Sequence, residues 1–163
     1  MAERWVVNAS PIIVLAKAGY AHLLSALTAE IVVPQAVIDE INAGPSDDPA
    51  RLWFAERPLP VAAVSELPAE LLAWDLGAGE TAVMAYALAN SGWTAIIDDN
   101  AARKCARSFG IRVKGTLAVV IMAKQRSLIP SAAAVMRQLQ QHGYHIQESI
   151  VRDALAQTVG EMM

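Results

Sequence analysis

The residues best suited to chemistry lie in one short stretch. Thr94-Ala95-Ile96-Ile97 is an apolar run that ends abruptly in Asp98-Asp99, and Asn100-Ala101-Ala102-Arg103 follows with helical character. Such a run suits a strand buried on both faces, as in a parallel sheet. The two acids then sit at its carboxyl end, where open α/β sheets build their sites. Adjacent carboxylates on a tight turn repel each other unless a cation, a donor or water relieves them. The same residues also admit a plain structural role, with Asp99 or Asn100 capping the next helix. The distinction turns on whether acids from elsewhere in the chain converge on this turn.

Glu80 is the first candidate. At about 100° per residue, Val83, Met84, Ala87 and Leu88 form one apolar stripe, and Glu80 falls near its middle in the helix's first turn. Favourable interaction with the helix dipole explains its position along the helix, but not its position around it. Glu40 lies on the flank of a Val37–Ile38–Ile41 face and, taken alone, reads as a solvated helix acid; Asp39 points further away. Asn8 directly follows a first strand, at the same sheet edge as Asp98 and Asp99 if the strands are parallel. A polar residue there can also simply bond loop backbone, and Ser10 can be a helix cap.

These residues need a scaffold, and the chain supplies one. Arg4–Val7, Ile31–Val33, Thr94–Ile97 and Ile111–Lys114 read as strands, with Leu59–Val64 an extended edge segment bounded by prolines. Pro11 suits the first turn of a helix capped by Ser10 and ended by Gly19; Tyr20–Leu27 adds a turn or two. Pro34 opens another helix, Ala50–Arg57 and Pro68–Trp74 read as helices, and Gly77-Ala78-Gly79-Glu80 opens one through Asn90. Asn100–Phe109, a segment from Thr116 as cap to Lys124, Pro130–Gln141 and Gln147–Thr158 complete the set. Strands alternating with helices predict an α/β fold of three layers around a mostly parallel sheet. The 163 residues fit a single domain, 1–163, with the helices of about 130–158 packing on it.

Composition bounds the rest. Hydrophobic residues make up 55 % of the chain, yet no apolar stretch is long enough to span a bilayer. The surplus predicts a sheet covered on both faces and an apolar surface for a homodimer. Met1-Ala2-Glu3-Arg4 lacks a signal-peptide layout. Cys105 is the only cysteine, so the expected compartment is a reducing cytoplasm. A formal charge of −3 argues against polyanion binding by the whole surface, though not by a local basic rim. The histidines His142 and His145 have no accompanying Cys or acid cluster in the sequence, so a zinc site is not expected. Leu76–Glu80 lacks the Lys and hydroxyl of a P-loop. A phosphorelay receiver would carry its acid pair after the first strand, and a haloacid-dehalogenase-type phosphatase would need Asp where Asn8 stands. Met162-Met163 reads as a frayed end.

The ordered set of motifs resembles PIN-domain proteins, in particular the DUF3368 branch, often described as VapC-like or PIN-like toxins. The stretches that carry the resemblance are Val7–Lys17, Val33–Ile41, Gly77–Val83, Ile97–Arg103 and Val113–Leu117. They occur in family order and cover most of the chain. The resemblance implies a parallel sheet surrounded by helices and acids that bind Mg²⁺ or Mn²⁺ and cut RNA. Carried over, those positions are Asn8, Glu40, Glu80 and Asp99, with Asp98 beside it; Ser10 matches a small hydroxyl residue. The family usually has Asp where this chain has Asn8, and an amide can touch a metal but brings no charge. Mg²⁺ is commonly held by one or two carboxylates plus waters.

Two functions follow from the resemblance. One is a metal-dependent ribonuclease; a toxin relationship would add a small antitoxin that inserts a segment into the acidic cleft. In that reading Glu80 and Asp99 ligate the ion, Asp98 or Glu40 orients a water or a second ion, and Asn8 bonds a metal-bound water or the scissile phosphate. Lys17, Arg103, Lys104 and Lys114 hold the RNA backbone, although scattered basic residues also serve as solvated surface. The other is a catalytically impaired PIN-like module that binds RNA or a protein without cutting, which Asn8 favours.

Overall fold

The computed structural model describes residues 3–163; Met1 and Ala2, which belong to the leader reading above, lie outside them. The first strand, β1 (Glu3–Val7), runs down the middle of the sheet. The others are β2 (Thr28–Pro34), β3 (Val61–Ala62), β4 (Thr94–Ile96) and β5 (Arg112–Lys114), in the order β3-β2-β1-β4-β5. Every pairing is parallel. The apolar runs have the burial that a doubly covered sheet requires: Trp5, Val6, Val7, Ala95, Ile96 and Ile97 are all fully buried. The expected edge segment contributes only β3, two residues paired with Val33 and Pro34. The prolines beside it, Pro58, Pro60 and Pro68, limit further pairing because they have no N–H to donate.

Ten helices surround the sheet among the described residues: α1 (Ala9–Ala18), α2 (His22–Ala26), α3 (Gln35–Asn42), α4 (Pro49–Glu56), α5 (Ala69–Leu72), α6 (Ala78–Ala89), α7 (Asn100–Ser108), α8 (Thr116–Gln125), α9 (Ala132–Gln141) and α10 (Glu148–Thr158). α6 packs across β1, β2 and β4 and against α3, which is why Thr81 through Ala85 are buried without a break. α1 packs on α3, α4 and α9, and α8 packs on α9 and α10. Buried side chains from the sheet and from helices as late as α10, through Val151 and Leu155, form one contiguous core.

Two expected caps are displaced. Ser10 lies inside α1 rather than at its start; Asn8 occupies the N-cap position and makes no side-chain cap there. Pro11 still falls in the first turn, where a missing N–H is tolerated. Thr116 is likewise the first residue of α8, behind Gly115. The chain is pinned as far as Glu161, the residue before the Met162-Met163 pair. Glu161 accepts hydrogen bonds from Ser131 Oγ (2.8 Å) and the N–H groups of Ala132 (2.8 Å) and Ala133 (2.9 Å), at the start of α9. Met163 packs partly buried against the core, while Met162 is exposed. No helix among the described residues is long and apolar enough to cross a membrane.

Candidate functional site

Parallel pairing of β1 with β4 matches Val7 to Ile96, so the chain leaves both strands at the same rim. The N–H of Asn8 continues the ladder by donating to the Ile96 carbonyl at 3.0 Å. Its side chain is thereby carried down into the rim, only 3 % exposed. Asn8 Nδ2 donates to Glu80 Oε1 at 3.4 Å. Asn8 Oδ1 is buried and has no hydrogen-bond partner among the described residues. A buried amide oxygen left this way costs on the order of 1–3 kcal/mol.

Glu80 comes from the first turn of α6, and Glu40 from α3, which lies alongside. The close approach of the two helices rests on Gly79. A methyl group there would sit 3.0 Å from Asn8 Oδ1 and 3.4 Å from both Glu40 Oε2 and Val37 Cγ2. Asn8, Glu40 and the start of α6 thus meet over a residue with no side chain. Burial, and then the negative charge of Glu80, raise the Glu40 carboxyl above its ordinary value. Sequence reasoning on the stripe placed Glu80 correctly on an inward face, whereas Glu40 was legible only through the resemblance.

The adjacent acids do different things. Asp98 is tied to α8: Oδ1 accepts from the Thr116 N–H at 2.8 Å and Oδ2 from Thr116 Oγ1 at 2.6 Å. The Tyr144 hydroxyl also donates to Oδ1, at 3.3 Å. Asp98 therefore caps α8 from a distant turn, which explains why Gly115 can stand at the N-cap position without a side chain. Asp99 caps α7, its Oδ2 accepting from the Ala102 N–H at 2.9 Å, and is otherwise exposed. Burial raises the Tyr144 phenol strongly, and the charge of Asp98 reinforces the effect.

Asn8, Glu40, Glu80, Asp98 and Asp99 all line one cavity of about 470 Å³. Ser10 and Lys17 line it too, so five acid or amide positions and two of the expected substrate-binding residues meet there. Arg103 does not; it lies in the adjoining cleft. Lys104 is exposed on α7. Lys114 is engaged elsewhere, with its ammonium 3.0 Å from Glu3 Oε1. The loop 142–145 between α9 and α10 closes one side of the cavity with His142, Tyr144 and His145. In the sequence His142 and His145 stand out only as a histidine pair without zinc partners, because the loop's nearness to the site depends on how the last two helices dock.

The donor set can be tested against a divalent cation. Among the described residues no three His, Cys, Asp or Glu side chains gather closely enough to form a metal-holding group. What the rim offers instead is two carboxylates, Glu40 and Glu80, around a buried amide oxygen that lacks a partner. Neither carboxylate is in an ion pair among the described residues. An orphaned acceptor beside two like charges is an environment that a hard cation relieves, and carboxylate and amide oxygens are its preferred donors. The residues present fit such an ion through these three side chains.

A comparison with curated proteins finds no match. A family model, DUF3368, described as a PIN domain, matches residues 4–161. That span takes in every strand but the first residue of β1, and all five residues at the rim. The chain belongs to the DUF3368 family of PIN domains and has the nuclease-like fold that this implies.

Proposed function

We propose that this protein is a ribonuclease of PIN type that depends on Mg²⁺ or Mn²⁺, with the acidic rim pocket as its catalytic site. The observation that supports this most is the meeting of Asn8, Glu40 and Glu80 around an unpartnered amide oxygen, with Asp99 on the same cavity. Glu40, Glu80 and Asn8 Oδ1 would hold the ion. A bound divalent cation there supplies a water of lowered pKa and stabilises charge on the scissile phosphate.

The chain's own residues do the remaining work. Asp99 is held by its cap on α7 through Oδ2, which leaves Oδ1 to accept a hydrogen bond from the attacking water. Asp98 positions α8 and Tyr144 and has both oxygens occupied, so it is a positioning residue. Lys17 and the imidazoles of His142 and His145 on the cavity wall can donate to phosphate oxygens. A role as the toxin of a toxin–antitoxin pair belongs to the same proposal, the antitoxin acting by covering this pocket.

One observation favours a second reading. Asn8 Nδ2 donates to Glu80, where an aspartate would repel it. A neutral link of this kind suits a module that binds RNA without cutting. Cleavage of single-stranded RNA with Mn²⁺ separates the two. The ribonuclease reading predicts metal-dependent cutting that falls by about 10²-fold or more in Glu80→Ala and increases in Asn8→Asp. Absence of metal-dependent cutting by the wild-type protein contradicts it and leaves the binding module.

A further inference from the structure

A second, larger cleft of about 1110 Å³ adjoins the acidic pocket. Asp98, Tyr144 and His145 line both cavities, so the two run into each other along the rim. The chemistry changes on crossing this boundary. Arg103 and Arg107, one helical turn apart on α7, form one wall. Leu117 and Ile121 of α8 and Ile150 of α10 form an apolar surface facing the same space, with Ile150 49 % exposed.

Neither guanidinium is in an ion pair among the described residues. Arg103 is nevertheless fixed in place. Its Nη1 donates to the Ile97 carbonyl at 3.3 Å, and it reaches over Gly115, where a methyl group would lie 2.7 Å from Nη1 and 2.8 Å from Asp98 Oδ1. Two carboxylates line the cleft. Asp98 already accepts hydrogen bonds at both oxygens, and Glu148 belongs to the first turn of α10. Arg103 and Arg107 thus present positive charge beside the place where a phosphodiester would be cut.

We propose that this cleft is the track for the RNA strand beyond the scissile bond, with backbone phosphates on Arg103 and Arg107 and a base against Leu117, Ile121 and Ile150. The proposal rests on the ribonuclease reading of the pocket and adds the path of the strand and the side chains that hold it. Positions one turn apart on a helix face the same way, about 5–6 Å apart at Cβ, and so address neighbouring phosphates of one strand. An apolar surface opposite them suits an unpaired base, since recognition of single strands combines a cationic groove with stacking on side chains.

The test separates binding from cutting. Fluorescence anisotropy with a labelled 12-nucleotide single-stranded RNA is measured in EDTA, where metal-dependent cleavage is suppressed. Wild-type protein binds, and Arg107→Ala weakens binding about fivefold and lowers the slope of log K against log salt by about 0.7. Arg107→Lys recovers most of the affinity. Arg107 is exposed, so a thermal melt of the variant should match the wild type. Unchanged affinity and salt slope in Arg107→Ala overturn the proposal. So does failure of the wild type to bind, and so does polyglutamate or an RNA duplex competing as well as the single strand. Binding that depends on Arg107, with no metal-dependent cutting in the separate assay, upholds the track and defeats the catalytic reading.

Discussion

Asn8 combines two roles at the rim that an aspartate could not. Its Nδ2 donates to Glu80, while its Oδ1 remains buried beside Glu40 without a partner among the described residues. The substitution lowers the pocket's charge and leaves an oxygen that a cation would satisfy. Glu40 shows the remaining repulsion. Its carboxyl is raised by burial and by the Glu80 charge. A carboxylate raised in the folded state destabilises the fold where it is ionised. That penalty is present at neutral pH, shrinks as the pH falls through the raised value, and is gone below the ordinary value of 4.5. Glu40→Gln should therefore raise Tm at pH 7 in metal-free buffer, by only about 1–2 °C because this carboxyl is only partly withdrawn from water and stays well screened. The gain should vanish near pH 4. A melt series against pH that shows Glu40→Gln equal to or less stable than wild type at pH 7 contradicts the assigned repulsion.

At the level of elements, helix starts organise the site. α6 delivers Glu80 from its first turn, α7 begins on Asp99, and α8 is capped by Asp98 from another turn of the chain. The far end of the molecule repeats the device, with Glu161 capping α9. Burial pushes the Glu161 carboxyl up, but bonds from Ala133, Ala132 and Ser131 and the charge of Lys124 outweigh it and hold the value below 4.5. A depressed carboxylate stabilises the fold above its unfolded value and loses that contribution as the pH falls through the folded one. Glu161→Gln should cost about 1–2 kcal/mol at pH 7, or roughly 3–6 °C in Tm, with the difference fading below pH 4.5. Equal melting of the two proteins across this range contradicts the cap.

These caps also mark where sequence reading succeeds and where it stops. The apolar run before Asp98 and the stripe around Glu80 are local patterns, and both predicted their placement. Local pattern could not show that Asp98 reaches Thr116, eighteen residues on, so Thr116 read as its own helix's cap. Glu40 looked like surface because its significance lies in a neighbour on another helix, brought close over Gly79. Tyr144 carried no signal, and its neighbours His142 and His145 read only as a pair lacking zinc partners, since α9 and α10 had to dock before that loop could meet Asp98.

On the scale of the whole molecule, the parallel sheet turns five separated positions into one rim. β1 and β4 end together, α3 and α6 close over one side, and the loop 142–145 closes another. The acidic pocket and the arginine-walled cleft are then two halves of a continuous surface groove, one with negative and one with positive character. A ribonuclease of this type requires the acidic half to take up a divalent ion through Glu40, Glu80 and Asn8. Calorimetric titration of the metal-free protein with Mn²⁺ tests this directly, comparing wild type with Glu80→Gln. Saturable binding by the wild type that weakens by about tenfold or more in the variant is the predicted result; no heat of binding, or equal affinity in the two proteins, contradicts it.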